Sequence, residues 1–263
     1  MLKDIILCSD LEKKFSMFYE LYNNFDKLDF NQDNIEIFKE PSYAKICKIV
    51  PPKYVLKRGF STDEKRAIFL HSLLHIEYSA IDLALDSCYR FNNMPKEFYK
   101  DFLDIANDEI RHFKLIENLL KKLGYKYGDF PVHNSLFEAA MKSLTLLERM
   151  AVIPRWYEAN GLDANEKMIS KISHYKDNFA KETIDVLKII LKEEIPHVKK
   201  GDFWFKYECD RLHLDYKNTY FSIIDKFFKN WKKDYINVAD RLKSGFSCDE
   251  IEILSKNNIE CKG

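Results

Sequence analysis

The chain has 263 residues, 42 of them basic and 42 acidic, a balance that excludes a general polyanion binder and leaves only a local basic patch open. Gly and Pro number seven each while Leu, Ile, Lys and Glu abound, which predicts an all-α fold. The six cysteines (Cys8, Cys47, Cys88, Cys209, Cys248, Cys261) form no Cys-x-x-Cys and follow no secretory signal, so they read as reduced thiols of a cytoplasmic protein, and no uninterrupted apolar run approaches the roughly 18 to 20 residues of a membrane span.

Residues 1–60 hold one expected helix, Leu11 to Tyr22, and then "EPSYAKICKIVPPKY", which reads as an extended wrap. "STDE", Ser61 to Glu64, is a capping box that opens a helix over 62–91, with Ile68, Leu70, Leu73, Leu74, Ile81 and Leu85 at helical spacing. Pro95 suits the first turn of a second helix, whose stripe Phe98, Phe102, Ile105, Ile116, Leu119, Leu120 ends at Gly124. "SLFE", Ser135 to Glu138, opens a third helix expected to reach "ANGLD" at 159–163 with a kink at Pro154. A shorter helix around Asn165 to Tyr175 comes next. The fourth long helix runs from near Asn178 through Leu187, Ile190 and Leu191 to Gly201, accepting Pro196 as a kink. The aromatic-rich remainder predicts two or three more helices, and no Gly/Ser- or Pro-rich linker sets them apart. The expected organisation is therefore one domain: an extension over 1–60, a four-helix bundle over 61–201 and a helical extension over 202–263.

"NDEIRHF" and "KEEIPHV" each place a glutamate three residues before a histidine, so Glu109 and His112 share a helix face, as do Glu194 and His197. A four-helix bundle that holds two metal ions needs one carboxylate from each of two helices and a Glu-x-x-His from each of the other two. Glu77 lies on the apolar face of the first helix, where a charge is costly unless paired or metal-bound. The third helix offers Glu148 or Glu158, about 15 Å apart along an ideal helix, so one of them serves. Glu77 to Glu109 is 32 residues and Glu158 to Glu194 is 36, whereas Glu148 to Glu194 is 46. This near-repeat favours Glu158. Depth from the helix starts favours Glu148, which stays open as the alternative.

Carboxylates that bridge two cations offset their repulsion, and imidazoles cap each ion with a neutral donor. Glu77, Glu109, His112, Glu158, Glu194 and His197 would leave two ferrous ions with little net charge and open positions for O₂. Two Fe ions are thus favoured over zinc, whose structural sites prefer a closed Cys/His tetrahedron; Mn₂ and mixed Fe/Mn stay open. The bland alternatives are a solvated helix face for the two Glu-x-x-His pairs, a buried ion pair to Arg for Glu77, ordinary core or surface roles for His71 and His75, surface charges at Asp108 and Arg111, and packing for Phe203, Trp204, Phe205 and Tyr207.

"FLHSLLHIEYSAIDLALD", "DEIRHFKLIENLLKKLGYKYGDFPVH", "YEANGLDAN" and "EEIPHVKKGDFWF" together resemble a bacterial family of ferritin-like proteins long labelled as a domain of unknown function. The resemblance covers about 55–210, and "SGFSCDEIEIL" is similar to that family's C-terminal end. Its Glu-Ala-Arg-Gly-Leu-Asp motif maps onto Glu158 to Asp163 with Asn160 in place of Arg. The resemblance implies a ferritin-like four-helix bundle with added N- and C-terminal helices and a di-metal site that includes Glu158. More distantly, the pattern looks like the di-iron tRNA hydroxylase that acts on a modified adenosine, which implies O₂ activation. Three functions follow as expectations: a di-iron O₂-dependent oxidoreductase or hydroxylase acting on a small-molecule substrate or a tRNA, a metal-binding or iron-handling protein without turnover, and an inert scaffold. A homodimer is compatible with each.

Overall fold

Helices account for the regular structure of the residues described by the computed structural model, which are 1–32, 34–259 and 261. Isolated parallel bridges join Ile49 to Val132 and Lys233 to Ser255. The chain divides into two compact units, Met1–Met141 and Lys142–Gly263.

Unit 1 is built on α3 (Asp63–Arg90) and α4 (Lys96–Lys122), preceded by α1 (Leu2–Leu7) and α2 (Leu11–Asn23) and followed by α5 (Ser135–Lys142) at the unit boundary. Thr62, one residue after the expected cap, starts α3 by accepting the Lys65 N–H at 3.3 Å. A short link containing Pro95 joins α3 to α4, so the two pack as an antiparallel hairpin. Glu77 stands thirteen residues before Arg90, the last of α3, and Glu109 thirteen after Lys96, the first of α4. Each is therefore about 20 Å from the turn along its helix. The N-terminal segment is anchored by a buried cation: Lys14, 0% exposed, donates to Asp82, to Ser42 Oγ at 3.2 Å and to the Ile6 carbonyl at 3.1 Å. By length and composition α3 could cross a membrane, but 83% of its apolar window is buried inside the protein.

Unit 2 comprises α6 (Leu146–Val152), a π-helical segment (Ile153–Glu158), α7 (Ala159–Ile172), α8 (Asn178–Leu212), α9 (Tyr216–Phe227), α10 (Val238–Lys243) and α11 (Cys248–Leu254). The expected third helix is thus corrected. It breaks after Lys142, because Thr145 and Glu148 form a capping box that restarts the chain as α6. It then passes through the wider π turn containing Pro154, whose missing N–H cannot continue the α pattern. Beyond Glu158 it absorbs the short helix expected from Asn165.

Gly201 does not end the fourth long helix, which continues to Leu212. A Cβ on Gly201 would lie 2.0 Å from the Pro154 Cβ, so the glycine permits close approach of α8 to the π segment. The six reduced thiols expected from the sequence are also corrected. Cys248 and Cys261 form a disulfide with Cα atoms 5.3 Å apart; Cys8, Cys47, Cys88 and Cys209 are free.

In an exposed helix, Gly201→Ala would stabilise by about 1 kcal/mol. Here the methyl group meets a proline ring, and unit 2 should lose about 1–3 kcal/mol as an overpacked core does. Urea unfolding followed by circular dichroism checks this; unchanged or raised stability would contradict the close contact.

Candidate metal centre

The equal depths of Glu77 and Glu109 bring two carboxylates together inside unit 1. Glu109 and His112 lie on the face of α4 that also buries Ile105 and Ile116, and Glu77 lies on the face of α3 that buries Leu70, Leu73, Leu74 and Ile81. Exposure is 6% for Glu77, 1% for Glu109 and 0% for His112. His112 Nδ1 is 3.3 Å from Glu109 Oε2 and 3.4 Å from Glu77 Oε2. Each of the three offers a ligand atom within 4.8 Å of the others. This buried group of Glu and His residues can hold a metal ion.

Electrostatics point the same way. Burial, and then repulsion from Glu109, pushes the Glu77 carboxyl well above the usual carboxylate range, against the opposing pull of His112. Burial disfavours a charged His112, but its hydrogen bonds to Glu109 and Glu77 and their charges outweigh it and raise the imidazole to about 11. Without a cation, the cluster holds its acids together by retaining protons. A divalent ion would supply that positive charge directly and release the protons.

Unit 2 carries a second set in similar register. Glu158 closes the π segment fourteen residues before Ile172, the last of α7, and Glu194 lies sixteen after Asn178, the first of α8. His197 Nδ1 is 3.6 Å from Glu194 Oε2, with side-chain exposures of 2% and 13%. Glu158 Oε2 is buried. Glu148 is committed elsewhere: Oε2 accepts the Leu144 N–H at 2.9 Å and completes the cap of α6, and Oε1 pairs with Lys226 at 2.5 Å.

His71 and His75 play core roles. The Gly128 N–H donates to His71 Nε2 at 2.9 Å. His75 Nε2 lies 2.9 Å from the His133 carbonyl, which can only accept, so Nε2 carries the proton and Nδ1 accepts from the Tyr127 hydroxyl at 2.9 Å. Asp108 and Arg111 form an ion pair at 3.0 Å. Of the aromatic run, Trp204 and Phe205 are buried, while Phe203 is 56% exposed.

Reading the sequence missed Arg155, fully buried between Asp202 at 3.0 Å and Glu250 at 2.8 Å and enclosed by Phe205, Tyr220 and Phe246. An arginine inside the apolar "MAVIPRW" was the available signal.

The profile of the family described as "Protein of unknown function (DUF455)" matches residues 7–252. The chain belongs to this family. Like it is an "Uncharacterized protein" of Haemophilus influenzae (strain ATCC 51907 / DSM 11121 / KW20 / Rd), 38% identical over 229 residues, which cover 84% of this chain and 77% of the relative. No solved structure matches the chain. DUF455 membership spans both units and both Glu-x-x-His pairs.

Burial lowers the pKa of His71 and of His75 to about 4 from an ordinary 6.5. The native state keeps each ring neutral while the unfolded chain takes up a proton below about pH 6.5, so stability is full above that pH and falls as pH drops toward 4. One such histidine should cost about 2 kcal/mol of unfolding free energy between pH 7 and pH 5. His71→Gln keeps an acceptor for the Gly128 N–H, and urea unfolding should show a shallower pH dependence by about that amount; an unchanged slope would count against the assignment.

Proposed function

We propose that the protein is a ferritin-like di-metal carboxylate protein, an O₂-dependent oxidoreductase or hydroxylase with two iron ions held by Glu77, Glu109, His112, Glu158, Glu194 and His197. The observation that carries this reading is repetition. Each unit contains a helical pair with a glutamate on its first limb and a Glu-x-x-His at similar depth on its second, and a dinuclear bundle site is assembled from two such sets.

The donor set suits iron. Four carboxylates compensate two divalent ions, and the two imidazoles add neutral donors without the thiolates that structural zinc prefers. Bound iron would supply the redox capacity to activate O₂. The protein's own residues do the rest: Glu77 and Glu109 provide negative charge in a buried setting, His112 turns Nδ1 toward both carboxylates, and the surrounding Ile and Leu side chains exclude water, which strengthens each electrostatic contact. The proposed substrate is a small organic molecule or a tRNA nucleoside.

Elemental analysis of protein purified without chelator should find two metals per chain, mostly iron, and the reduced protein should consume O₂. Bound metal without O₂ uptake would support the metal-handling alternative, and a folded protein that binds no added Fe²⁺ or Mn²⁺ would sink both readings.

The two glutamates of the third segment are separable. Glu158→Ala should reduce metal content from two toward one or none per chain, measured at equal helix content. Glu148→Ala removes a cap, should cost about 1 kcal/mol of stability and should retain both metals. The reverse outcome would move the site to the start of α6.

A further inference from the structure

Trp156, Asn160, Asp163 and Lys167 recur at near-helical spacing from the π segment along α7, and unit 2 places two further cations along this line. Arg241 of α10 is fully buried. Its Nη2 donates to Asp163 Oδ2 at 2.7 Å and to Asn160 Oδ1 at 3.2 Å, and its Nε donates to Asp163 Oδ1 at 3.1 Å. Nη1 is buried and has no hydrogen-bond partner, an expensive condition for a charged donor.

Lys233 lies one turn away along the same line, with Nζ 4.3 Å from the centre of the Trp156 ring. Its backbone is held by 2.8 Å bonds to the Leu254 carbonyl and from the Lys256 N–H, so its position is set by the fold. Among the described residues no carboxylate or other acceptor meets its amine. Asp163 gives its oxygens to Arg241 and to the Asn237 N–H at 2.9 Å. Glu166 accepts from the Tyr235 hydroxyl, and Lys167 lies 4.4 Å over the Tyr235 ring. Burial first, then the charges of Arg241 and Lys167, hold the Lys233 amine down to about 8 despite the opposing Asp163. Positive charge is therefore in excess here, with unused donors on two side chains.

We propose that Lys233 and Arg241, with Lys167 at the rim, form a binding site for a small oxyanion, a phosphate or phosphomonoester. Such a group carries about −1.5 to −2 charge at neutral pH and three strong acceptor oxygens, enough to meet an ammonium and a guanidinium N–H together. The site is independent of the proposed metal ligands and stands whether or not iron binds.

The full-length protein can be acetylated with a trace of acetic anhydride, a neutral reagent, and each lysine followed by peptide mass spectrometry across pH. In NaCl, Lys233 should react with a midpoint near pH 8, with the exposed Lys229 and Lys232 followed as references in the same sample. Inorganic phosphate at matched ionic strength should raise that midpoint by about one unit and slow Lys233 about fivefold at pH 8, leaving Lys229 and Lys232 unchanged. Equilibrium dialysis should show phosphate binding that Lys233→Gln abolishes and Lys167→Gln weakens, with helix content preserved in both. A phosphomonoester that protects more strongly than inorganic phosphate would identify the ester as the preferred form. Equal slowing by NaCl, equal slowing at Lys229 and Lys232, or phosphate binding retained in Lys233→Gln would each overturn the proposal.

Discussion

Two carboxylates buried side by side repel each other, and the environment that repels them also denies them water. Glu77 and Glu109 are in this position, and much of unit 1 reads as the apparatus that holds them there. The α3–α4 hairpin fixes their depth, the apolar faces around them remove solvent, and His112 provides the polar contact both share. Nothing in core packing requires this arrangement; leucines at 77 and 109 would fill such a seam at lower electrostatic cost. Its presence is a reason to regard it as chemistry rather than architecture.

Three other sets of buried charges sharpen the contrast. Asp82 is matched by Lys14, Asp202 and Glu250 by Arg155, and Asp163 by Arg241. In each case a permanently or ordinarily cationic side chain from a distant part of the chain answers the acid, and the pair fastens two segments. Glu77 and Glu109 instead face an imidazole, a group that, once a metal displaces its proton, can donate a lone pair to that metal. Asp82, Asp163, Asp202 and Glu250 meet Lys or Arg; Glu77, Glu109 and Glu194 meet His.

The legible parts of the sequence were those set by local pattern. The stripes of α3 and α4 and their Pro95 and Gly124 boundaries are periodic or positional signals, and Glu-x-x-His on an apolar face exposes itself because a charge is out of place there. What escaped depended on partners remote in sequence or on competition between local signals. Thr145 and Glu148 form a capping box inside an apolar run that otherwise continues a helix. Gly201 looks like a helix stop until Pro154 is placed against it. The Cys248–Cys261 disulfide joins two thiols that no Cys-x-x-Cys motif pairs, and Asn160, a departure from the expected Arg, acquires meaning only when Arg241 arrives from α10.

The apolar character of α3 has a consequence during synthesis. The helix is finished at Arg90, but the surface that covers it in α4 is complete only at Lys122. At roughly 5–20 residues per second, that leaves a nascent helix able to attract chaperones or a membrane for roughly 2 to 6 seconds. Glu77, Asp82 and Asp86 lie within it, and acidic residues at a bilayer centre cost on the order of 2.5–3.5 kcal/mol each on insertion scales. The acids that later bind Lys14 or face His112 thus serve first as a deterrent to insertion, so replacing them with apolar residues would change where the young chain goes before it changes what the folded protein does.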